Sequence, residues 1–234
     1  MNDNINFETF LFISPKKIAI SIKTKSDFNK IYFNEIKFQK DLKQIDFEII
    51  HNFLNDNIFK IEKLLKEFVK KIYLIIETND FFSVKISIKK NNHENFIDLK
   101  SLNHLLNEAK VNCKKTIDDR KIIHMLIEGY QINENYFSNL PKNLICKNFS
   151  LDVNFICLPN NLIRNLEKTL KNFQISLNRI VSAKYVKKFI ENDNQDLFNM
   201  SKKIIEGHNE NEVILVDKIP KNKGFFERFF NFFN

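Results

Sequence analysis

The sequence predicts an α/β (α+β) protein, and three observations predict it. Apolar and polar residues alternate in several separate stretches, at 7–22, 28–38, 81–89, 121–132 and 148–158. Segments with helical spacing lie between them, so strands and helices interleave along the chain. Nothing repeats at a fixed period, which excludes a solenoid or propeller.

Taken in order, FETFLFISPKKIAISI (7–22) reads as a strand or hairpin bent at Ser14 and Pro15, and 28–38 as a further strand. From Asp41 to Lys71 the spacing becomes helical: Phe47, Ile50 and Leu54 share one face, Ile58, Ile61, Leu64, Leu65 and Phe68 another. Asn55 and Asp56 are expected to break and recap that helix. The β-branched run 72–77 and the alternating run 81–89 read as two strands joined by a turn at Asn79 and Asp80. Asp98 is placed to cap a helix through Val111, with Leu99, Leu102, Leu105, Leu106 and Ala109 as its buried stripe. A strand at 121–132 with a bulge at Gly129 follows, then a strand at 148–158. A helix opens at Pro159 to Asn161 and runs to Phe173 on Leu162, Ile163, Leu166 and Leu170. Strand 175–181, helix 183–190, the polar linker ENDNQD, a short helix at 197–205 and a strand-like 213–216 complete the body.

The last stretch, KIPKNKGFFERFFNFFN (218–234), has a different character. At 3.6 residues per turn Phe225, Phe226, Phe229, Phe230, Phe232 and Phe233 crowd into one arc, opposite Glu227, Arg228 and Asn231. Pro220 and Gly224 interrupt regular structure just upstream, and Lys218, Lys221 and Lys223 add positive charge beside the aromatic face. The segment is too short to span a bilayer, and its pattern is that of a helix lying on an anionic lipid surface. The predicted membrane-binding residues are Lys221, Lys223, Phe225, Phe226, Arg228, Phe229, Phe230, Phe232 and Phe233. The opposing reading packs these rings into the protein's own core.

Composition narrows the function. A net charge of +8 invites nucleic acid or membrane, but the lysines are scattered among acids, and no aromatic RNA-binding signature is present. With only Gly129, Gly207 and Gly224, no phosphate-cradling glycine loop can be built. Cys113, Cys146 and Cys157 fit neither a disulfide framework nor a zinc site, so reduced buried thiols are expected. The start MNDNINFE has neither the basic beginning nor the apolar run of a signal peptide, and the body is expected in the cytoplasm.

No catalytic, cofactor or metal site is predicted. His51, His93, His104, His124 and His208 never take a ligand spacing. His124, inside an apolar strand, reads as a satisfied core histidine. Asp118 and Asp119 are adjacent and diverge, and no nucleophile setting such as G-x-S-x-G occurs. Lys110, Lys114, Lys115, Arg120 and Lys121 form a basic run that could take phosphate or acidic peptide, with a solvated face as the blander reading.

Residues 116–190 resemble the bacterial actin-like cell-division protein FtsA. The likeness rests on Asp119, Arg120, Ile122, Ile123, His124, Ile127, Tyr130 and Ile132 in one strand, Pro141 in the next loop and an inner strand at 151–157. A helix containing Asn165 to Leu170, and the step from Ile180 to Ala183, complete it. The resemblance implies a reduced actin-like lobe. Residues 7–71 and 160–216 would form a degenerate subdomain 1A, and 72–157 the inserted strand-helix-strand-strand subdomain 1C. Residues 217–234 would be a linker and the short membrane helix with which that family ends. The family's phosphate loops should lie near 12–20 and after Ile190, where this chain has no glycine loop, and the second lobe is missing. No ATP binding is therefore expected, and direct FtsZ contact, which uses the missing lobe, is in doubt. The implied function is a non-enzymatic divisome scaffold with weak self-association, contacting anionic lipid and a cytoplasmic tail such as that of FtsN. Two alternatives stay open: an actin-like membrane adaptor of a pilus or secretion apparatus, and a basic nucleic-acid-binding protein.

Overall fold

The computed structural model describes residues 6–97, 99–141, 145–189 and 196–214. In chain order the elements are β1 (Phe7–Ile13), β2 (Lys17–Thr24), β3 (Lys30–Lys37), α1 (Phe47–Leu65), β4 (Lys71–Ile76), β5 (Phe82–Phe96) and α2 (Leu99–Thr116). There follow β6 (Arg120–Ile132), β7 (Asn135–Phe137), β8 (Ile145–Pro159), α3 (Asn160–Lys171), β9 (Ser176–Ser182), α4 (Ala183–Phe189) and α5 (Leu197–Ile205).

The strands form two sheets. In the first the order is β3-β2-β1-β4-β9, with β1 to β3 an antiparallel meander and β4 and β9 parallel to β1. Side chains alternate across it. Leu11, Ile13, Ile18, Ile20, Ile22, Leu74 and Ile76 pack with α1 and α3, while Phe10, Phe12, Ala19 and Ile75 pack with Ala183 and Phe198 of the α4 and α5 layer. Burial on both faces explains why these strands are nearly continuous apolar runs. In the α4 and α5 layer Lys23 is buried, its Nζ 2.6 Å from Asn199 Oδ1, 3.1 Å from Asp196 Oδ2 and 4.3 Å from the centre of the Phe28 ring.

The second sheet, β5-β8-β6-β7, is antiparallel throughout. Its inner face buries Met125, Phe149, Leu151, Val153 and Phe155 under Leu105, Leu106, Ala109 and Cys113 of α2. Its outer face is a polar ladder in which Ser83 donates to Asn154, Ser87 to Asp152, and Lys85 pairs with Glu128. The predicted bulge at Gly129 is present as a register shift between Ile127 and Gly129. A Cβ on Gly129 would stand 2.1 Å from the Tyr136 hydroxyl, which crosses it to donate to the Glu128 carbonyl.

The structure corrects three expectations. Residues 47–65 form one unbroken helix, so Asn55 and Asp56 do not split it. The cap is Asp46, whose carboxylate accepts the amides of Glu48 and Ile49 at 3.0 and 3.1 Å, and the end is Lys66 in a left-handed conformation. The buried stripe runs Ile50, Phe53, Leu54, Asn57, Ile58, Ile61 and Leu65, with a buried asparagine completing what looked like two faces. Second, 72–77 and 81–89 are not a hairpin, because β4 lies between β1 and β9 in one sheet while β5 pairs with β8 in the other. Third, helix α2 runs on to Thr116 instead of ending at Val111, because Cys113 is buried on the same stripe, while β4 takes its place in the first sheet and β5 opens the second. Asp98, most of the ENDNQD linker and Val216 lie outside the described residues.

Asn57 ties α1 to β3. Its Oδ1 accepts from Tyr32 and from Asn34, each at 2.7 Å, and its Nδ2 donates to Phe53 O at 2.6 Å. Replacing Asn57 with Ala strands two donors at the helix-sheet contact, so N57A should lose about 2 kcal/mol in urea unfolding. An unchanged unfolding midpoint would contradict that bridge.

Candidate functional site

The most densely bonded buried group lies where the chain returns from α5 to the second sheet. Ile127 N donates to Asn211 O at 2.8 Å, and Val213 N to Met125 O at 2.9 Å, so residues 211–213 lie antiparallel on the edge of β6. That pairing turns Glu212 inward. Its Oε1 is 2.8 Å from His124 Nδ1 and 2.7 Å from Arg179 Nη2, and its Oε2 accepts from the Tyr185 hydroxyl at 3.0 Å. Asn209 donates to the same hydroxyl at 2.6 Å, and Arg179 Nη1 reaches Ile205 O at 3.3 Å. One carboxylate thus joins β6, β9, α4 and the segment after α5.

The protonation states follow from geometry. The amide of Ser182 donates to His124 Nε2 at 3.0 Å, and an amide can only donate, so the imidazole proton sits on Nδ1 and points at Glu212. Burial holds the imidazole below its ordinary range, and it stays neutral. For Glu212 burial alone would raise the carboxyl, but the His124 bond, the Arg179 charge and the Tyr185 bond together hold it below the usual carboxylate range. Burial is also what pushes the Tyr185 phenol well up. The junction is therefore one ion pair with two neutral donors. Both imidazole nitrogens are occupied, and the cluster ties β6, β9, α4 and the segment after α5 together.

Beside it lies an open cleft of 820 Å³ between the two sheets. One wall is the start of β6, with Arg120, Lys121, Ile122 and Ile123; the other is β9 with Leu177, Asn178 and Arg179. β9 is an outer strand of its sheet, and β6 has no strand beside residues 120–124 on this side among the described residues. Two sheet edges thus face one cleft. Lys110 and Lys114 of α2 extend its rim, so the structure gathers four residues of the predicted basic run, Lys110, Lys114, Arg120 and Lys121, and adds Arg179. Arg120 is partly spent, since its Nη1 donates to Asp80 O at 3.1 Å and its guanidinium lies 5.1 Å from the Phe82 ring centre.

The β1–β2 turn closes on itself. Ser14 N donates to Lys17 O at 2.9 Å, and Ser14 Oγ accepts the amides of Lys16 and Lys17 at 3.3 and 3.0 Å. The amides that a phosphate would need are satisfied within the turn. Asp118 and Asp119 do not converge: the carbonyl of Asp119 accepts Asn160 N, and its carboxylate is 3.8 Å from Arg120 Nε. Among the described residues no group of three or more His, Cys, Asp or Glu could hold a metal. His51 packs on Phe173, His208 bonds Lys203 O and His104 lies 3.9 Å from Glu108. The three cysteines are free and buried, and burial, with Cys113 alongside, pushes the Cys157 thiol up to about 12. The predicted membrane-binding residues Lys221, Lys223, Phe225, Phe226, Arg228, Phe229, Phe230, Phe232 and Phe233 lie outside the described residues. Sequence reasoning placed His124 but missed Glu212, Arg179 and Tyr185.

No family model matches the chain, and no curated protein matches it by sequence. Among solved structures it is similar to a chain of a PilM–PilN type IV pilus biogenesis complex, at TM-score 0.50 and 7% identity over 78% of this chain and 49% of that one. Looser likenesses are to the cytoplasmic domain of EpsL, an inner-membrane component of the type II secretion system of Vibrio cholerae (TM-score 0.41, 11% identity, 77% of this chain and 59% of that one), and to a Bacteroides thetaiotaomicron protein with an actin-like ATPase fold (0.36, 12%, 81% and 58%). The chain spans between about half and three-fifths of the length of these structures.

Removing the shared acceptor leaves Arg179, His124 and Tyr185 without it, so Glu212→Ala should cost about 3 to 5 kcal/mol in urea unfolding. The sign with pH is set by both groups. The unfolded chain takes up protons that folded His124 and Glu212 refuse, so stability is full above about pH 6.5 and is lost as pH falls through the histidine and then the carboxylate range. Thermal unfolding between pH 8 and 4 checks this, and a midpoint flat down to pH 4 would contradict it. Fold and sheet order together make the chain an α/β protein of two sheets, a five-stranded mixed sheet packed on both faces by helices and a four-stranded antiparallel sheet under α2.

Proposed function

We propose that this chain is a non-enzymatic adaptor that sits on the inner face of a membrane by its phenylalanine-rich end and offers the cleft between its sheets to a partner protein. The observation that carries the reading is the pinning of Val213 to Met125, because it delivers the chain to the cleft mouth immediately before the lipid-seeking segment. The cleft favours an extended segment, since two sheet edges offer backbone pairing, with Lys110, Lys114 and Lys121 on its walls beside Asp118 and Glu167. Among the described residues no helix is long and apolar enough to cross a membrane, in keeping with peripheral attachment.

Affinity is set by opposing terms. Burying one Phe is worth roughly 1.5 to 3 kcal/mol, interfacial rings are only partly buried, and ordering each residue costs about 1 to 2 kcal/mol. One copy binds weakly, and stable attachment comes from assembly of several.

Two apparatuses fit. The likeness to FtsA supports a divisome scaffold taking a cytoplasmic tail such as that of FtsN; the likeness to the PilM–PilN complex supports a pilus or secretion adaptor about as well. A fluorescent fusion at midcell favours the first, and one at poles or patches the second. No ATP binding is expected, because the amides of the β1–β2 turn are already paired, and a thermal shift with millimolar ATP would overturn that. Deleting residues 224–234 should abolish co-sedimentation with anionic liposomes while leaving the unfolding midpoint unchanged. Binding that survives the deletion would end the membrane reading, and steeply salt-dependent DNA binding would favour a nucleic-acid role.

A further inference from the structure

We propose that the end of α1 and the turn after it, residues 59–71, form a second lipid contact, one on the folded body, which docks that body on an anionic membrane surface. The inference rests on the membrane reading given above and is carried by residues other than the phenylalanine-rich end. Three large apolar side chains stand in water here: Phe59 is 73% exposed, Leu64 54% and Phe68 72%. Every other exposed residue from 59 to 71 is a lysine, with Lys60, Lys63 and Lys66 at the helix end and Lys70 and Lys71 just beyond. The two acids of the stretch, Glu62 and Glu67, are half-buried.

The display is built into the fold. Ile58, Ile61 and Leu65 spend the apolar stripe of α1 on the sheet, and at 100° per residue Phe59 falls on the far side of the helix. Lys66, in a left-handed conformation, ends the helix, and Val69 returns to the core with its amide donating to Glu62 Oε1 at 3.0 Å. The turn is pinned on both sides of Phe68, which is held outward.

Charge selects lipid as the occupant. A second copy would set lysine against lysine, and lysine is depleted in protein interfaces, whereas an anionic headgroup layer attracts the ammonium groups while rings and lysine stems enter its apolar boundary. The two ends of the first sheet differ in the same sense. Exposed Lys25 and Lys30 lie beside the start of β3, which runs parallel to β4 and so begins at the end where Lys70 and Lys71 stand. Exposed Asp41, Asp46 and Asp80 follow the carboxyl ends of β3 and β4. The patch alone binds weakly, and it docks a body that the phenylalanine-rich end has already brought to the surface.

The chain contains no tryptophan, so Phe68→Trp in the full chain places a single fluorophore at this site. On vesicles of phosphatidylglycerol and phosphatidylcholine its emission should shift to the blue and be quenched by brominated lipid, while Val111→Trp, at a half-exposed position on α2, should do neither. Phe68→Glu should weaken vesicle binding roughly fivefold and leave the urea unfolding midpoint unchanged. A Phe68→Trp probe that stays unshifted on vesicles that do bind the chain overturns the proposal and leaves the phenylalanine-rich end standing. Binding and shift that both survive deletion of residues 224–234 sink only the role of that end, and a chain that binds no vesicles overturns both contacts. A shift produced by concentrating the protein without lipid assigns the patch to a second copy and also overturns the proposal.

Discussion

A charged carboxylate with 2% of its side chain exposed holds the two sheets of this protein together. Taking it out of water costs several kcal/mol, and only complete hydrogen bonding offsets that. Glu212 obtains it from three donors on three different elements, His124, Arg179 and Tyr185. The sheets are also linked covalently at two crossings, between β4 and β5 and between β8 and α3, and by apolar packing of Leu126 and Ile156 against Val181, Tyr185 and Met200. The Glu212 contact adds a tie that depends on the orientation of one sheet against the other, because His124 comes from β6 while Arg179 and the Ser182 amide come from β9. Arg179 and Glu212 also line the cleft, so the contact fixes the separation of its walls there.

Much of the body was legible because its elements are locally consistent. Alternation located β1, β2, β3, β6 and β8, and the 3.6-residue spacing of Leu162, Ile163, Leu166 and Leu170 located α3. Even the bulge could be read, since a glycine inside a strand signals close approach, here of Tyr136. The failures share a cause. Asn55 and Asp56 looked like a break because such residues are unfavourable in a helix interior, yet the helix runs through them, and the next residue, Asn57, is satisfied by Tyr32 and Asn34 from a strand. The turn at Asn79 and Asp80 looked like a hairpin because nothing local says that the next strand belongs to another sheet.

The junction was illegible for the same reason. Glu212 sits in the polar run HNENE just before an apolar stretch, and one of the two acids in that run is selected only by the register of a short pairing with β6. Arg179 and Tyr185 are ordinary members of a strand and a helix until the fold aims them at one point. The basic run from Lys110 to Lys121 was visible, but not the second wall that makes a cleft of it.

In functional terms the described body is a frame, and the cleft proposed to act is set by how its two sheets meet. Such a division suits a part that works by being in the right place. Under the proposed function its contribution is to hold a surface near a membrane at raised local concentration, where weak contacts add.

The measurement that tests the account most directly is an NMR titration of the His124 imidazole in the intact chain. Burial between Glu212 and the Ser182 amide predicts a neutral ring, protonated on Nδ1, that shows no reversible titration near pH 6.5 and takes up its proton only as the protein unfolds in acid. An imidazole that titrates reversibly near 6.5 with the fold intact would show that the junction is open, and the tie between the sheets would have to be sought elsewhere.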